Sequence, residues 1–282
     1  MTKYRRLGVF SLALALAAAA ALIYYKTQPR SNLDDRLGKI VAVANEPEVS
    51  CADIAKHRPL VLLALGQSNA ANHGALAPAS SAPVLVFAQG KCVKANDPLP
   101  GGTGLGGSIW RRLPQLLSDA GVTRPVVMAV LAVDASTLAD WTEDASPLKL
   151  HLAQTVESMK RQGLPPTLVL WQQGEADARA GTSKTDYAAG LDKLEATLRK
   201  AGSDAPVVLA RSTLCRAEKS LAIRSAIEGK TATSDRFRAG PDTDDLTGEL
   251  LRFDGCHFTA RGLEAAARMW QTGLLANKLI AQ

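Results

Sequence analysis

Five short apolar runs, alternating with segments of helical spacing, constrain this chain more than any other feature. Pro59–Leu65, Val84–Ala88, Pro125–Val133, Thr167–Trp171 and Pro206–Ala210 are almost free of polar residues, the composition of strands buried on both faces. Between and after them, Ile109–Leu117, Leu148–Met159, Tyr187–Leu198, Ala217–Ile227 and Leu263–Leu275 repeat apolar positions every three or four residues. Helices with one buried stripe have that spacing. Strands separated by helices pair in parallel, with the helices covering both faces of one sheet. The expectation is an α/β chain: a three-layer α/β/α sandwich on a mainly parallel central sheet, spanning residues 58–282 without internal repeats. Chemistry in such sheets gathers beyond the carboxyl ends of the strands.

The first 30 residues are of another kind. Lys3, Arg5 and Arg6 precede Leu7–Tyr25, 19 residues without a charge and rich in Leu and Ala. At 1.5 Å per residue, a helix of that length nearly crosses a hydrocarbon layer of about 30 Å. An N-terminal transmembrane signal anchor over residues 1–30 and a cleaved signal peptide both fit, and both export the remainder to a periplasmic or extracellular space. Residues 31–57 read as a linker and an irregular segment. Five of the six net positive charges lie in residues 1–30 (Lys3, Arg5, Arg6, Lys26 and Arg30), which leaves +1 on the other 252 residues. With no basic stripe to neutralise phosphates, nucleic acid is excluded as a partner.

Three segments carry reactive side chains. Gly66-Gln67-Ser68-Asn69-Ala70 follows the first run and puts a hydroxyl at a strand-to-loop turn, where Ser68 reads as a nucleophile or as a helix cap. Position 70 is Ala, so this is not the GxSxG elbow of α/β-hydrolases. Leu170-Trp171-Gln172-Gln173-Gly174-Glu175-Ala176-Asp177 ends the fourth run with amides and carboxylates that orient a substrate, donate to an oxyanion or satisfy loop backbone. Phe253-Asp254-Gly255-Cys256-His257-Phe258 has the D-x-x-H spacing that lets a carboxylate accept the Nδ1 proton of an imidazole while Nε2 stays free for a hydroxyl. His57, His73 and His151 have no carboxylate so spaced, and a structural role for His257 is the alternative.

In this order, GQSN, WQQGEAD and DGCHF resemble the blocks of the SGNH hydrolase superfamily, and within it the sialate O-acetylesterase-like branch of carbohydrate esterases, over roughly residues 58–275. The resemblance implies a flavodoxin-like SGNH hydrolase fold and a serine esterase acting on O-acetyl esters of carbohydrates or a cell-envelope glycan. Ser68 would be the nucleophile, His257 the general base and Asp254 its orienting carboxylate, with neither metal nor cofactor. A polysaccharide O-acetyltransferase using the same triad, or an inactive glycan-binding protein, are the alternatives. For the oxyanion hole it implies the Ser68 N–H, an N–H of Gly106 or Gly107, and Gln173, because Ala176 stands where the superfamily pattern has Asn. Gln67, Asn69, Glu175 and Asp177 would brace loops or lie beside the substrate, and Trp141, in the loop after the third run, either lies beside the substrate to stack on a sugar face or is buried packing.

Two further features complete the reading. Gly102, Gly104 and Gly107 match GxGxxG, but residues 93–101 contain Asn96, Asp97, Pro98 and Pro100 in place of a buried strand, so the setting for a nucleotide cofactor is absent. Four cysteines without a CxxC suit disulfides in an oxidising compartment better than zinc. In this fold Cys215 follows a late strand and Cys256 lies in the His257 loop; pairing those two leaves Cys51 with Cys92.

Overall fold

A computed structural model describes residues 33–76, 82–216 and 219–280. The stretch expected to enter a membrane lies outside these residues; among the described ones, no helix is long and apolar enough to cross a bilayer. Residues 33–57 supply α1 (Leu33–Leu37), β1 (Glu48–Val49) and α2 (Cys51–Lys56). The five apolar runs form β2 (Leu60–Gly66), β3 (Val84–Ala88), β5 (Val126–Ala132), β6 (Leu168–Gln172) and β7 (Val207–Arg211). Two more strands join them, β4 (Lys91–Ala95) and β8 (Phe237–Asp242).

The eight strands form one sheet in the order β1-β4-β3-β5-β2-β6-β7-β8. β3, β5, β2, β6, β7 and β8 are parallel, and β4 and β1 add an antiparallel edge. The chain leaves β2 toward β3 and β5 on one side and later crosses to β6 on the other, so β2 stands where the winding reverses. Its last residue, Gly66, is the register partner of Ala132 in β5 and of Gln172 in β6. Three loops therefore start at one level, where such sheets build their sites.

Alternation along β2 sorts the core into two layers. Leu60, Leu62 and Ala64 face α3 (Leu113–Asp119) and α9 (Ala260–Ala276), whereas Val61, Leu63 and Leu65 face α5 (Pro147–Arg161), α7 (Lys184–Lys200) and α8 (Leu221–Thr233). Each fully buried Leu contributes roughly 1.5–3 kcal/mol, so both faces hold the helices firmly. Two short helices, α4 (Leu138–Thr142) and α6 (Glu175–Ala180), follow β5 and β6. The helix expected over Ala217–Ile227 instead begins at Leu221, because Ser220 caps it by accepting the N–H of Ile223. The segment Ile109–Leu117 divides into a 3₁₀ turn at Ile109–Arg111 and α3.

All four tryptophans are fully buried, in one pair on each side of the sheet. Trp110 and Trp270 meet with centroids 5.4 Å apart, and Trp141 packs edge-on against Trp171 at the same separation. Each indole N–H has a partner: Ala70 O, Gln172 Oε1, Ser136 Oγ and Tyr187 Oη for Trp110, Trp270, Trp141 and Trp171 respectively.

Candidate active site

The turn that carries Ser68 depends on a glycine. Gly66 has φ +144°, and a Cβ there would lie 2.1 Å from the Gln172 carbonyl oxygen. Only glycine lets β2 end this close to β6 and swing into the 3₁₀ turn Ser68–Ala70. Ser68 is 5% exposed, and its backbone N–H has no acceptor among the described residues.

The late loop reaches the same place. His257 Nδ1 lies 2.9 Å from Asp254 Oδ2, and Asp254 Oδ1 accepts the N–H groups of Cys256 at 2.9 Å and His257 at 2.7 Å. Arg216 donates to Asp254 Oδ2 at 2.6 Å. Burial pulls this carboxyl upward, but the bonds from His257, Arg216 and Cys256 outweigh it and hold it well below the usual carboxylate range. Asp254 is thus an anion aimed at one imidazole nitrogen, and Nε2 is left for other work.

Direct bonds join the two stretches. The Asn69 amide donates to Cys256 O at 3.2 Å, the Ala75 N–H donates to Phe258 O at 2.8 Å, and the rings of His73 and His257 stack with centroids 5.6 Å apart. The Cys215–Cys256 disulfide adds the loop after β7, and Cys51–Cys92 ties α2 to β4. Both are the pairings expected from the fold. Arg252, which the sequence did not single out, is buried under this loop; its guanidinium donates to the carbonyls of Thr243, Leu246 and Cys256 and lies 4.4 Å from the centre of the Phe258 ring.

A buried polar cluster supports the Ser68 turn from below. Glu175 Oε1 accepts Asn69 Nδ2 and Ser212 Oγ, each at 2.8 Å, while Oε2 is sealed without a partner. Burial drives this carboxyl up to about 7 against the pull of those donors. Gln67 Oε1 accepts the Ala176 N–H at 2.9 Å, and Asp177 accepts Leu138 N–H and Thr182 Oγ1–H, each at 2.8 Å. Burial raises Asp177 as well. Gln67, Asn69, Glu175 and Asp177 therefore brace loops.

Against known proteins, residues 59–275 match the family described as carbohydrate esterase, sialic acid-specific acetylesterase. This chain belongs to that family. It is an esterase with an α/β fold of the SGNH kind. Among solved structures, a protein from Arabidopsis thaliana is similar at 17% identity and a TM-score of 0.64, over 78% of this chain and 99% of that one. NanS is similar at 15% identity and a TM-score of 0.53, over 77% of this chain and 96% of that one. A family two carbohydrate esterase from Cellvibrio japonicus follows at 16% and 0.50, over 77% of this chain and 60% of that one. No curated protein sequence matches significantly.

In this carbohydrate esterase, three expected oxyanion donors are already committed. Gly106 N–H donates to Asn72 O at 2.7 Å and Gly107 N–H to Gly74 O at 2.8 Å, because the glycine loop pairs with the loop that follows Ser68. The Gln173 amide gives its protons to Asp177 Oδ2 at 2.6 Å and Ser136 O at 3.0 Å, and its oxygen accepts the Tyr187 hydroxyl at 2.9 Å. None is free for a ligand, which leaves the Ser68 N–H from the original set. Trp141 is buried against Trp171, so it is core and not a platform beside the substrate. The esterase also holds a residue that the sequence did not point to: His73, half-buried, with Nε2 3.2 Å from Thr103 Oγ1. Its only sequence signal is its place in the loop after β2, five residues beyond Ser68.

Proposed function

We propose that this esterase removes acetyl groups from carbohydrate hydroxyls through Ser68, His257 and Asp254. The supporting observation is the 2.9 Å Asp254–His257 contact in a loop hydrogen-bonded to the residue after Ser68. Asp254 fixes the tautomer with the proton on Nδ1, so the basic Nε2 takes the proton of the Ser68 hydroxyl as Oγ attacks the acetyl carbon. The carbonyl electrons move onto oxygen, where the Ser68 N–H is a donor to the developing charge. Collapse breaks the bond to the sugar oxygen, which takes the proton from His257 and leaves acetyl-Ser68. Water then repeats the cycle: His257 accepts its proton, the hydroxide adds to the acyl carbon, and acetate departs as Ser68 Oγ recovers the proton.

The uncharged stretch Leu7–Tyr25 and the two disulfides support an exported enzyme working on acetylated glycans outside the cytoplasm, tethered or released. The domain we assign to this chemistry is residues 58–282. Hydrolysis of p-nitrophenyl acetate by the full chain tests the reading: Ser68→Ala should lower kcat/KM by at least ~10³-fold. Equal rates for variant and parent would overturn it.

A further inference from the structure

His73 is a second imidazole at this site, and the mechanism gives it no task. Its Cδ2–Nε2 edge faces the glycine loop, since a Cβ on Gly104 would stand 2.8 Å from both atoms. Nε2 is 3.2 Å from Thr103 Oγ1, which already accepts the Asp134 N–H at 2.9 Å. Thr103 is 1% exposed, so its single hydroxyl proton needs a protein acceptor, and Nε2 is the one within reach. The proton of the neutral ring is then on Nδ1. Burial disfavours the cation, Asp134 favours it and His257 opposes it, and the balance lies below the ordinary imidazole value. Nδ1 is the vertex opposite the Cδ2–Nε2 edge, turned away from the glycine loop. It has no partner among the described residues and is not sealed from solvent.

A fixed donor beside the general base, with its other edge locked, is built to meet an acceptor that arrives with the substrate. Building on the reading of Ser68, His257 and Asp254 above, we propose that His73 determines specificity for the alcohol side of the ester. Its Nδ1–H donates to a free hydroxyl on the sugar carbon next to the acetylated one, so the site favours esters of vicinal diols over esters of simple alcohols or phenols. An ester without that hydroxyl leaves the donor desolvated and unpaired, which costs more than the bond itself gains.

The test uses the full chain with p-nitrophenyl acetate, a mono-O-acetylated methyl hexoside with a free neighbouring hydroxyl, and the same hexoside with that hydroxyl O-methylated. The readout is the kcat/KM of the free-hydroxyl sugar ester divided by that of p-nitrophenyl acetate, with melting curves to confirm folding. His73→Ala should lower this ratio about 20-fold, mainly through KM. His73→Asn, whose amide nitrogen sits near the position of Nδ1, should recover most of it, whereas His73→Gln, which reaches only toward Thr103, should not. The Asn and Gln variants decide the matter alone if the Ala variant does not fold. An unchanged ratio in His73→Ala, rescue by Gln in place of Asn, or a parent enzyme indifferent to O-methylation would overturn the proposal. A parent that hydrolyses none of these esters, or a Ser68→Ala variant as active as the parent, would instead overturn the esterase reading beneath it.

Discussion

Removing the two disulfides separately will distinguish a loop that serves catalysis from one that only stabilises the fold. Each bond closes a sequence separation of 41 residues, so the loop-entropy cost of losing either is the same, about 4 kcal/mol at 25 °C. For a domain of this size that lowers Tm by roughly 8–16 °C. Their places differ. Cys256 stands between Asp254 and His257, gives its N–H to Asp254 and receives the Asn69 amide and Arg252 guanidinium on its carbonyl. Cys92 lies in β4, three strands from β2 and so about 14 Å across the sheet. The double variants Cys215→Ala/Cys256→Ala and Cys51→Ala/Cys92→Ala should therefore melt at similar temperatures. At a temperature where both stay folded, the first should lose at least ~30-fold in kcat/KM on p-nitrophenyl acetate, since a misplacement of about 1 Å in a catalytic group costs on the order of 10²-fold. The second should remain within ~3-fold of the parent, and differential scanning calorimetry with steady-state kinetics reads both quantities. Equal losses of activity, or full activity in the Cys215→Ala/Cys256→Ala variant despite its lower Tm, would refute the reasoning.

Two other perturbations test the support beneath the site. Gly66→Ala places a Cβ 2.1 Å from Gln172 O at φ +144° and should cost about 3 kcal/mol or more in urea denaturation; a loss under ~1 kcal/mol would show that β2 and β6 can part there. Glu175, raised from 4.5 to about 7, binds its proton more tightly folded than unfolded. The stability this gives is fully present below the unfolded value and is lost as pH rises from about 4.5 through about 7. Its size is on the order of 3 kcal/mol. Glu175→Gln should flatten that fall in pH-dependent denaturation, and an unaltered slope would assign it to other groups.

The central strands were legible because burial on both faces leaves no polar position. β2 is buried at every residue and appears as an uninterrupted apolar run. β4 and β8 left no such trace. Lys91-Cys92-Val93-Lys94-Ala95 exposes its lysines on an antiparallel edge, and Phe237–Asp242 carries Gly240 and Pro241 as the last strand of the sheet. The same division holds at the site. Asp254 and His257 lie three residues apart, so their contact follows from local chain geometry. The state of the Gly106 and Gly107 N–H groups follows from pairing with Asn72 and Gly74 more than 30 residues away, which no local spacing reveals. His73 leaves no local signature, because its partner is a hydroxyl at position 103 and not a nearby carboxylate. The amides and carboxylates of WQQGEAD offered both bracing and oxyanion roles, and burial decides for bracing.

The placement of the tryptophans gives this protein a built-in optical gauge. No tryptophan sits at the surface, and the indole nitrogens are tethered to the carbonyl of Ala70, the amide of Gln172, the hydroxyl of Ser136 and the phenol of Tyr187. Ala70 belongs to the turn that begins at Ser68, and Gln172 abuts the glycine before it. Loosening of the Ser68 turn must therefore alter the surroundings of Trp110 or Trp270, and a red shift in emission will accompany it even when the rest of the sheet stays intact.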